Sequence, residues 1–194
     1  MIVGIILASG YSKRMNRDKL LLEFNNKKAV ENVIIAAKNS MLNKVILAYR
    51  KDQVRIIGDQ YGVETIKNNK AHLGQSESVK LGIARENNAD GYLFLAGDQP
   101  LISSDVINKI IKEFRDTGKG IIIPKYKGEI KMPILFSSKY RDDLLKSFGE
   151  YGGYEIIENN PEDISYIDVK QLHEVCDFNH YKDYLRFLDN KEGK

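Results

Sequence analysis

Three charged side chains in this sequence have the types and spacing to manage phosphate. Arg14 and Lys19 follow the small-residue turn Ala8-Ser9-Gly10, and Asp98 ends a separate apolar run in Gly97-Asp98-Gln99-Pro100. Backbone N–H groups bared by such a turn, joined by cations, make a cradle for anions. Gly10 is free to adopt a positive φ there, and Ser12 adds a hydroxyl between the turn and Arg14. Mg²⁺ prefers oxygen ligands and is commonly held by one or two carboxylates plus substrate phosphates, a role Asp98 suits. Beside Gly97 and Pro100, Asp98 equally suits a plain turn, and spacing alone leaves both readings open. A strand with a glycine turn is also common to many α/β proteins. It is Ser12, Arg14 and Lys19 within ten positions of Gly10 that make this one an anion cradle.

The elements that must carry these groups follow from apolar periodicity. Ile2, Val3, Ile5, Ile6 and Leu7 form the near-continuous run of a parallel strand covered on both faces. Ala29, Val30, Val33, Ile34, Ala36 and Ala37 predict a helix over 27–40. A strand at 45–49, a short helix at 52–60 and a strand at 63–66 come next. The stretch Gly74-Gln75-Ser76-Glu77-Ser78 precedes a helix carrying Val79, Leu81, Ile83 and Ala84, and either serine suits its N-cap. Residues 92–96 read as a buried strand that delivers Asp98 to the carboxyl end of the sheet, where open α/β folds place ligands. Val106, Ile107, Ile110, Ile111 and Phe114 stripe a helix over 103–117, capped by Ser103 or Ser104. Strands at 121–124 and 133–136 flank KYKGEIKM as a hairpin, and a last strand covers 165–169. Alternating strands and helices predict an α/β fold, a mostly parallel sheet between two helical layers.

Length and composition bound the function. At 194 residues, 42% hydrophobic and 29% charged, the chain predicts one globular domain over 1–189, with a solvated, disordered tail at 190–194. A net charge of +3, with no basic stripe interleaved with aromatics, suits small anionic substrates and argues against nucleic acid. The lone Cys176 excludes an internal disulfide and predicts a reducing, cytoplasmic setting, while His72, His173 and His180 lack metal-ligand spacing and read as surface or structural residues. The N-terminal apolar run is too short for a membrane span. Neither G-x-G-x-x-G nor G-x-x-x-x-G-K-[ST] occurs, which argues against a dinucleotide fold and a Walker-type NTPase.

The stretch LASGYSKRM, with Lys19 beyond it, resembles the L-A-x-G-x-S-x-R-M-x(n)-K signature of the MobA-like nucleotidyltransferases. The resemblance extends through GDQP at Asp98 and implies a three-layer Rossmann-like nucleotidyltransferase fold with a β-hairpin insertion. It implies that Leu7, Ala8, Ser9, Gly10 and Ser12 bind nucleotide, as do Gly74, Ser76 and Ser78 of a loop similar to the G-[LQ]-S-x-S of cytidylyl-transferring members. In that reading Arg14 holds the pyrophosphate portion, Lys19 stabilises charge at the α-phosphate and Asp98 binds Mg²⁺. The segment around Asp177 and Asn179 is similar to the one that opens the family's last helix. Asn179 there is either a second metal ligand or that helix's N-cap. Two positions depart from the family pattern on the acceptor side: Met132 precedes Pro133 where R-G-[HN]-P is usual, and Tyr154 replaces an arginine. The implied activity is CMP transfer from CTP to the terminal phosphate of molybdopterin, with a molybdenum hydroxylase as the product's recipient. Alternatives are a GTP donor or another phosphorylated acceptor within the superfamily, and a nucleotide-binding accessory protein without turnover.

Overall fold

Alternation along the first strand sets the layers. A computed structural model describes residues 1–12, 17–150, 153–170 and 175. Expectations for Arg14, Cys176, Asp177, Asn179, the last helix and the tail lie outside these residues. In β1 (Ile2–Ala8), Ile2, Ile6 and Ala8 enter one apolar cluster, while Val3 and Ile5 enter a second. Successive strand residues point to opposite faces, so a strand covered on both sides is apolar throughout.

A short antiparallel ribbon follows: β2 (Glu23–Phe24) and β3 (Lys27–Lys28) are turned by Asn25 and Asn26 at φ of 55° and 62°. Two left-handed residues in a row suit a tight hairpin, and asparagine tolerates that conformation better than most residues. This is why the first helix, expected from residue 27, starts later as α1 (Ala29–Lys38). Then come β4 (Lys44–Tyr49), α2 (Asp52–Gln60), β5 (Glu64–Lys67), α3 (Ser76–Arg85) and β6 (Gly91–Ala96). The chain continues through α4 (Ser104–Thr117), β7 (Ile121–Tyr126), β8 (Glu129–Ile130) and β9 (Ile134–Ser137). It reaches α5 (Arg141–Lys146), α6 (Tyr154–Asn159) and β10 (Ile164–Asp168).

The main sheet runs β10-β7-β9-β6-β1-β4-β5, with β8 on β7. Strand β1 lies between β4 and β6, parallel to both. Strand β9 is antiparallel to its neighbours β6 and β7, so the expected β7–β9 pair forms part of the main sheet. On one face, Val30, Val33 and Ile34 of α1 join Val106, Ile107, Ile110 and Ile111 of α4 against Ile2 and Ile6. On the other, Val79 and Ile83 of α3, Leu144 of α5 and Ile156 and Ile157 of α6 pack with Val3 and Ile5. The result is the three-layer α/β/α arrangement. As expected, Ser103 caps α4, its hydroxyl accepting the Val106 N–H at 3.3 Å. No helix among the described residues is long and apolar enough to cross a membrane.

Candidate active site

Strand register brings four chain exits to one edge. Leu7 pairs with Ala96, Ala8 with Tyr49, and Tyr49 with Lys67. The residues that follow these strand ends are Ser9, Arg50, Asn68 and the Gly97-Asp98 turn, and all leave the sheet at its carboxyl edge. Ser9 and Asp98, placed there, line a common space.

That space is a cleft of about 580 Å³, lined among others by Leu7, Ser9, Gly10, Ser12, Lys19 and Asp98 on one side and by Gly74, Gln75 and Ser78 on the other. Lys19 Nζ lies 3.3 Å from Asp98 Oδ2, and both side chains are largely shielded from solvent. The turn bearing Lys19 is anchored twice. Its N–H donates to Ser12 Oγ at 3.1 Å, and Asp18 Oδ1 accepts the Leu20 N–H at 3.1 Å. Asp18 is in turn paired with Lys51 at 2.8 Å. Gly10 is not in the positive-φ region; Ser12 is, at φ 51°. Among the described residues, a side chain at Gly10 would meet no atom within 4 Å. Glycine there keeps the cleft open instead of making the turn possible.

The loop is braced from behind by a residue that spacing did not mark. Arg50 donates from Nε to the Ser9 carbonyl at 3.2 Å and from an Nη to the Gly10 carbonyl at 3.3 Å, and its guanidinium stacks 4.2 Å over the Tyr11 ring. Arg50 and Lys51 together hold the chain on either side of residues 13–16. The opposite wall is joined to the turn through buried polar groups: Ser9 Oγ and Ser78 Oγ are 2.5 Å apart, and Asn68 Nδ2 donates to both. Ser78 Oγ therefore engages the turn and Asn68, not the start of the helix. The N-cap of α3 is Gln75, with no side-chain cap bond, so neither serine fills the capping role. Asn68 and Arg50 were each legible only as the first polar residue after a parallel strand.

The structure brings Leu7, Ser9, Gly10, Ser12, Lys19, Gly74, Ser78 and Asp98 into one cleft. Ala8 is buried at the end of β1 and is not part of its lining. Ser76 is buried as well, its hydroxyl without a hydrogen-bond partner among the described residues, while its N–H donates to the Gly149 carbonyl at 3.1 Å. Arg14 and Asn179 lie outside the described residues. Among those residues no three His, Cys, Asp or Glu side chains cluster to hold a metal. Gln99, buried behind Asp98, ties its turn to the Val175 carbonyl at 3.0 Å and the Met132 carbonyl at 3.4 Å.

An apolar hollow of about 300 Å³ adjoins the cleft and shares Leu7, Gln75, Met132 and Glu150 with it. Phe94, Phe136 and Tyr154 contribute to its lining, so both departures from the family pattern, Met132 and Tyr154, face one compartment. No Lys, Arg or His is among its described lining residues.

A family model described as the MobA-like NTP transferase domain matches residues 4–164, spanning β1 to the start of β10. The chain belongs to this family. Among relatives of this MobA-like chain, a probable molybdenum cofactor guanylyltransferase of Natranaerobius thermophilus is 31% identical over 136 residues, 66% of this chain and 62% of that protein. The matched part thus spans less than two thirds of that relative. A probable molybdenum cofactor guanylyltransferase of Thermococcus gammatolerans is 27% identical over 179 residues, 89% of each chain. In fold, the MobA-like chain is similar to a nucleotidyl transferase of Methanothermobacter, with a TM-score of 0.85, 23% identity, and coverage of 98% of this chain and 97% of that one.

Proposed function

We propose that this protein transfers CMP from CTP to the terminal phosphate of a molybdopterin-type acceptor, releasing pyrophosphate. The observation that carries the reading is the Lys19–Asp98 pair in a single cleft between the Ser9-Gly10 turn and the Gly74–Ser78 loop. An acceptor phosphate oxygen attacks the α-phosphorus in line, a P–O bond forms, and the bond to the pyrophosphate oxygen breaks. The attacking oxygen is already anionic at neutral pH, so the step calls for positioning and charge stabilisation more than for a strong base. Lys19 stabilises charge at the α-phosphate, and Arg14 holds the pyrophosphate portion.

Asp98 would hold Mg²⁺ as the protein's carboxylate beside the substrate phosphates, with Asn179 either adding a second oxygen or capping the last helix. The donor set supports this hard-cation assignment, since the cleft offers oxygen ligands and no thiolate or imidazole cluster among the described residues. Bound there, the ion would neutralise charge on the phosphates. The acceptor's body enters the apolar hollow beside the cleft, where an uncharged ring system meets Phe94, Phe136 and Met132 in place of cations.

The Gly74-Gln75-Ser76-Glu77-Ser78 loop supports CTP as donor. GTP is the second reading, favoured by relatives described as molybdenum cofactor guanylyltransferases. Pyrophosphate release with Mg²⁺ and each NTP, with and without molybdopterin, tests both. The expected result is release with CTP that depends on the pterin. Release with GTP alone selects the second reading, and saturable nucleotide binding without release selects an accessory role and overturns catalysis. A recipient molybdenum hydroxylase is part of the same reading.

A further inference from the structure

A second concavity, of about 520 Å³, lies between α5 and α6 and shares no lining residue with the cleft. Phe148 and Ile156 give it an apolar surface, and Asp143 and Glu155 also line it. Phe148 is 83% exposed, whereas no other large apolar side chain among the described residues exceeds 51%. Apolar residues scattered singly over a surface are ordinary. This one stands in a groove, and the groove is preformed. Leu144, Ile156 and Ile157 seat both helices on the core. On either side of Phe148 the backbone is tied down: the Ser147 N–H donates to the Asp143 carbonyl at 3.0 Å, and the Gly149 carbonyl accepts the Ser76 N–H at 3.1 Å.

Charge says what covers it. Residues 141–163 hold seven Asp or Glu against two Lys or Arg, a net −5 in a chain of +3. Asp142, Asp143, Glu155 and Glu158 are all exposed, and none pairs with a cation among the described residues. Such a face repels nucleic acid and anionic lipid, whose binding needs the opposite sign. A twofold contact between two copies would set one −5 face against another, since the same patch serves both sides. We propose that the α5–α6 groove docks a partner protein through a basic segment bearing one large apolar side chain. That side chain packs on Phe148 and Ile156, and its flanking Lys or Arg residues meet Asp143 and Glu155. An aromatic anchor inside a charged rim is the usual division of labour at a protein interface: the anchor carries affinity, and the rim selects the partner.

Phage display of a random peptide library against the full chain, with counter-selection on Phe148→Ala, tests the proposal. Peptides that survive bind at the groove, so their composition is the readout. The expected survivors carry a net positive charge and at least one aromatic or aliphatic residue. The most enriched peptide, synthesised with a fluorophore, should bind Asp143→Asn/Glu155→Gln at least about fivefold more weakly than wild type, the scale of an interface contact. Its affinity for wild type should also fall as salt rises from about 50 to about 200 mM. All three substituted residues are exposed, so the variants keep the fold. Survivors that are neutral or acidic, affinity unaltered by the double variant, or no survivors at all would each overturn the proposal. A dimer in sedimentation that Phe148→Ala dissolves would assign the groove to a second copy and overturn it too. Pyrophosphate release should be unchanged in Phe148→Ala, because the groove is separate from the cleft.

Discussion

Lys19 and Asp98, 3.3 Å apart, each keep the other at the place where a triphosphate and its counter-ion would need opposite charges. Preorganised charge of this kind is usually worth more in the transition state than any single binding contact. Lys19→Ala should cost about 3–4 kcal/mol of transition-state stabilisation, or two to three decades in rate, and Asp98→Ala at least as much. Pyrophosphate release by the folded variants is the measurement, and wild-type turnover in either would remove the assignment. Arg50 acts one step further back. Its fork meets two successive carbonyls, Ser9 and Gly10, while its plane covers Tyr11. A lysine has neither the fork nor the plane. Arg50→Ala should raise the nucleotide KM by about tenfold, and Arg50→Lys should fail to restore it, as expected for the loss of charge-assisted bonds. A lysine variant with wild-type KM would mean that charge alone suffices. Asp98 was legible in the sequence because it stands just past the apolar strand β6, and Lys19 because it stands within ten positions of the Gly10 turn. Arg50 and Asn68 were not, because several polar residues follow each of their strands and only sheet register shows which one turns inward.

At the level of the elements, the cleft is walled by loops whose backbone must take a particular course. Gly74 has φ 111°, and a methyl group there would overlap the backbone of Gly149, itself at φ 75°. The two loops are further joined by the Ser76 N–H to the Gly149 carbonyl. Gly74→Ala should therefore destabilise the fold by about 1–3 kcal/mol through backbone strain and overlap. That corresponds to a melting point lower by roughly 3–10 °C for a chain of this size. An unchanged thermal midpoint would show that the loops can separate without cost. Helix α4 was readable because its stripe of Ile and Val is determined by local period alone. The fate of Ser76 and Ser78 was not. Capping is the local option for a serine before a helix, and Ser78 is instead recruited by Ser9 and Asn68, 69 and 10 residues away in the chain. Similarly, β9 was visible as a strand, but its antiparallel place between β6 and β7 depends on long-range pairing.

Across the whole molecule the two edges of the sheet are put to different uses. The carboxyl edge carries the cleft, with a cation held beside a carboxylate. The amino edge is stitched by charge. Lys44, which opens β4, lies 2.8 Å from Glu64 at the start of β5 and 3.3 Å from Glu86 just past α3, and Arg85 also pairs with Glu64. The hydrogen bond from Lys44 holds the Glu64 carboxyl below its ordinary 4.5; burial opposes the shift and Arg85 assists it. Donating to Glu64 raises the Lys44 ammonium above 10.5, again against burial and with help from Glu86. A depressed carboxyl stabilises the fold above its unfolded pKa, and that stabilisation is lost as pH falls through the lower folded value. A raised ammonium stabilises below its unfolded pKa and loses the benefit as pH rises through the higher folded one. The stitch is thus complete between about pH 4.5 and 10.5 and fails on either side. Glu64→Gln should cost about 0.5–1 kcal/mol at pH 7, the scale of a partly exposed pair. In urea melts, the difference between Glu64→Gln and wild type should close as the pH falls below 4.5. A difference that persists undiminished at about pH 3, well below the ordinary carboxyl range, would place the contribution of Glu64 in packing instead of charge, and would leave the amino edge held by its apolar contacts alone.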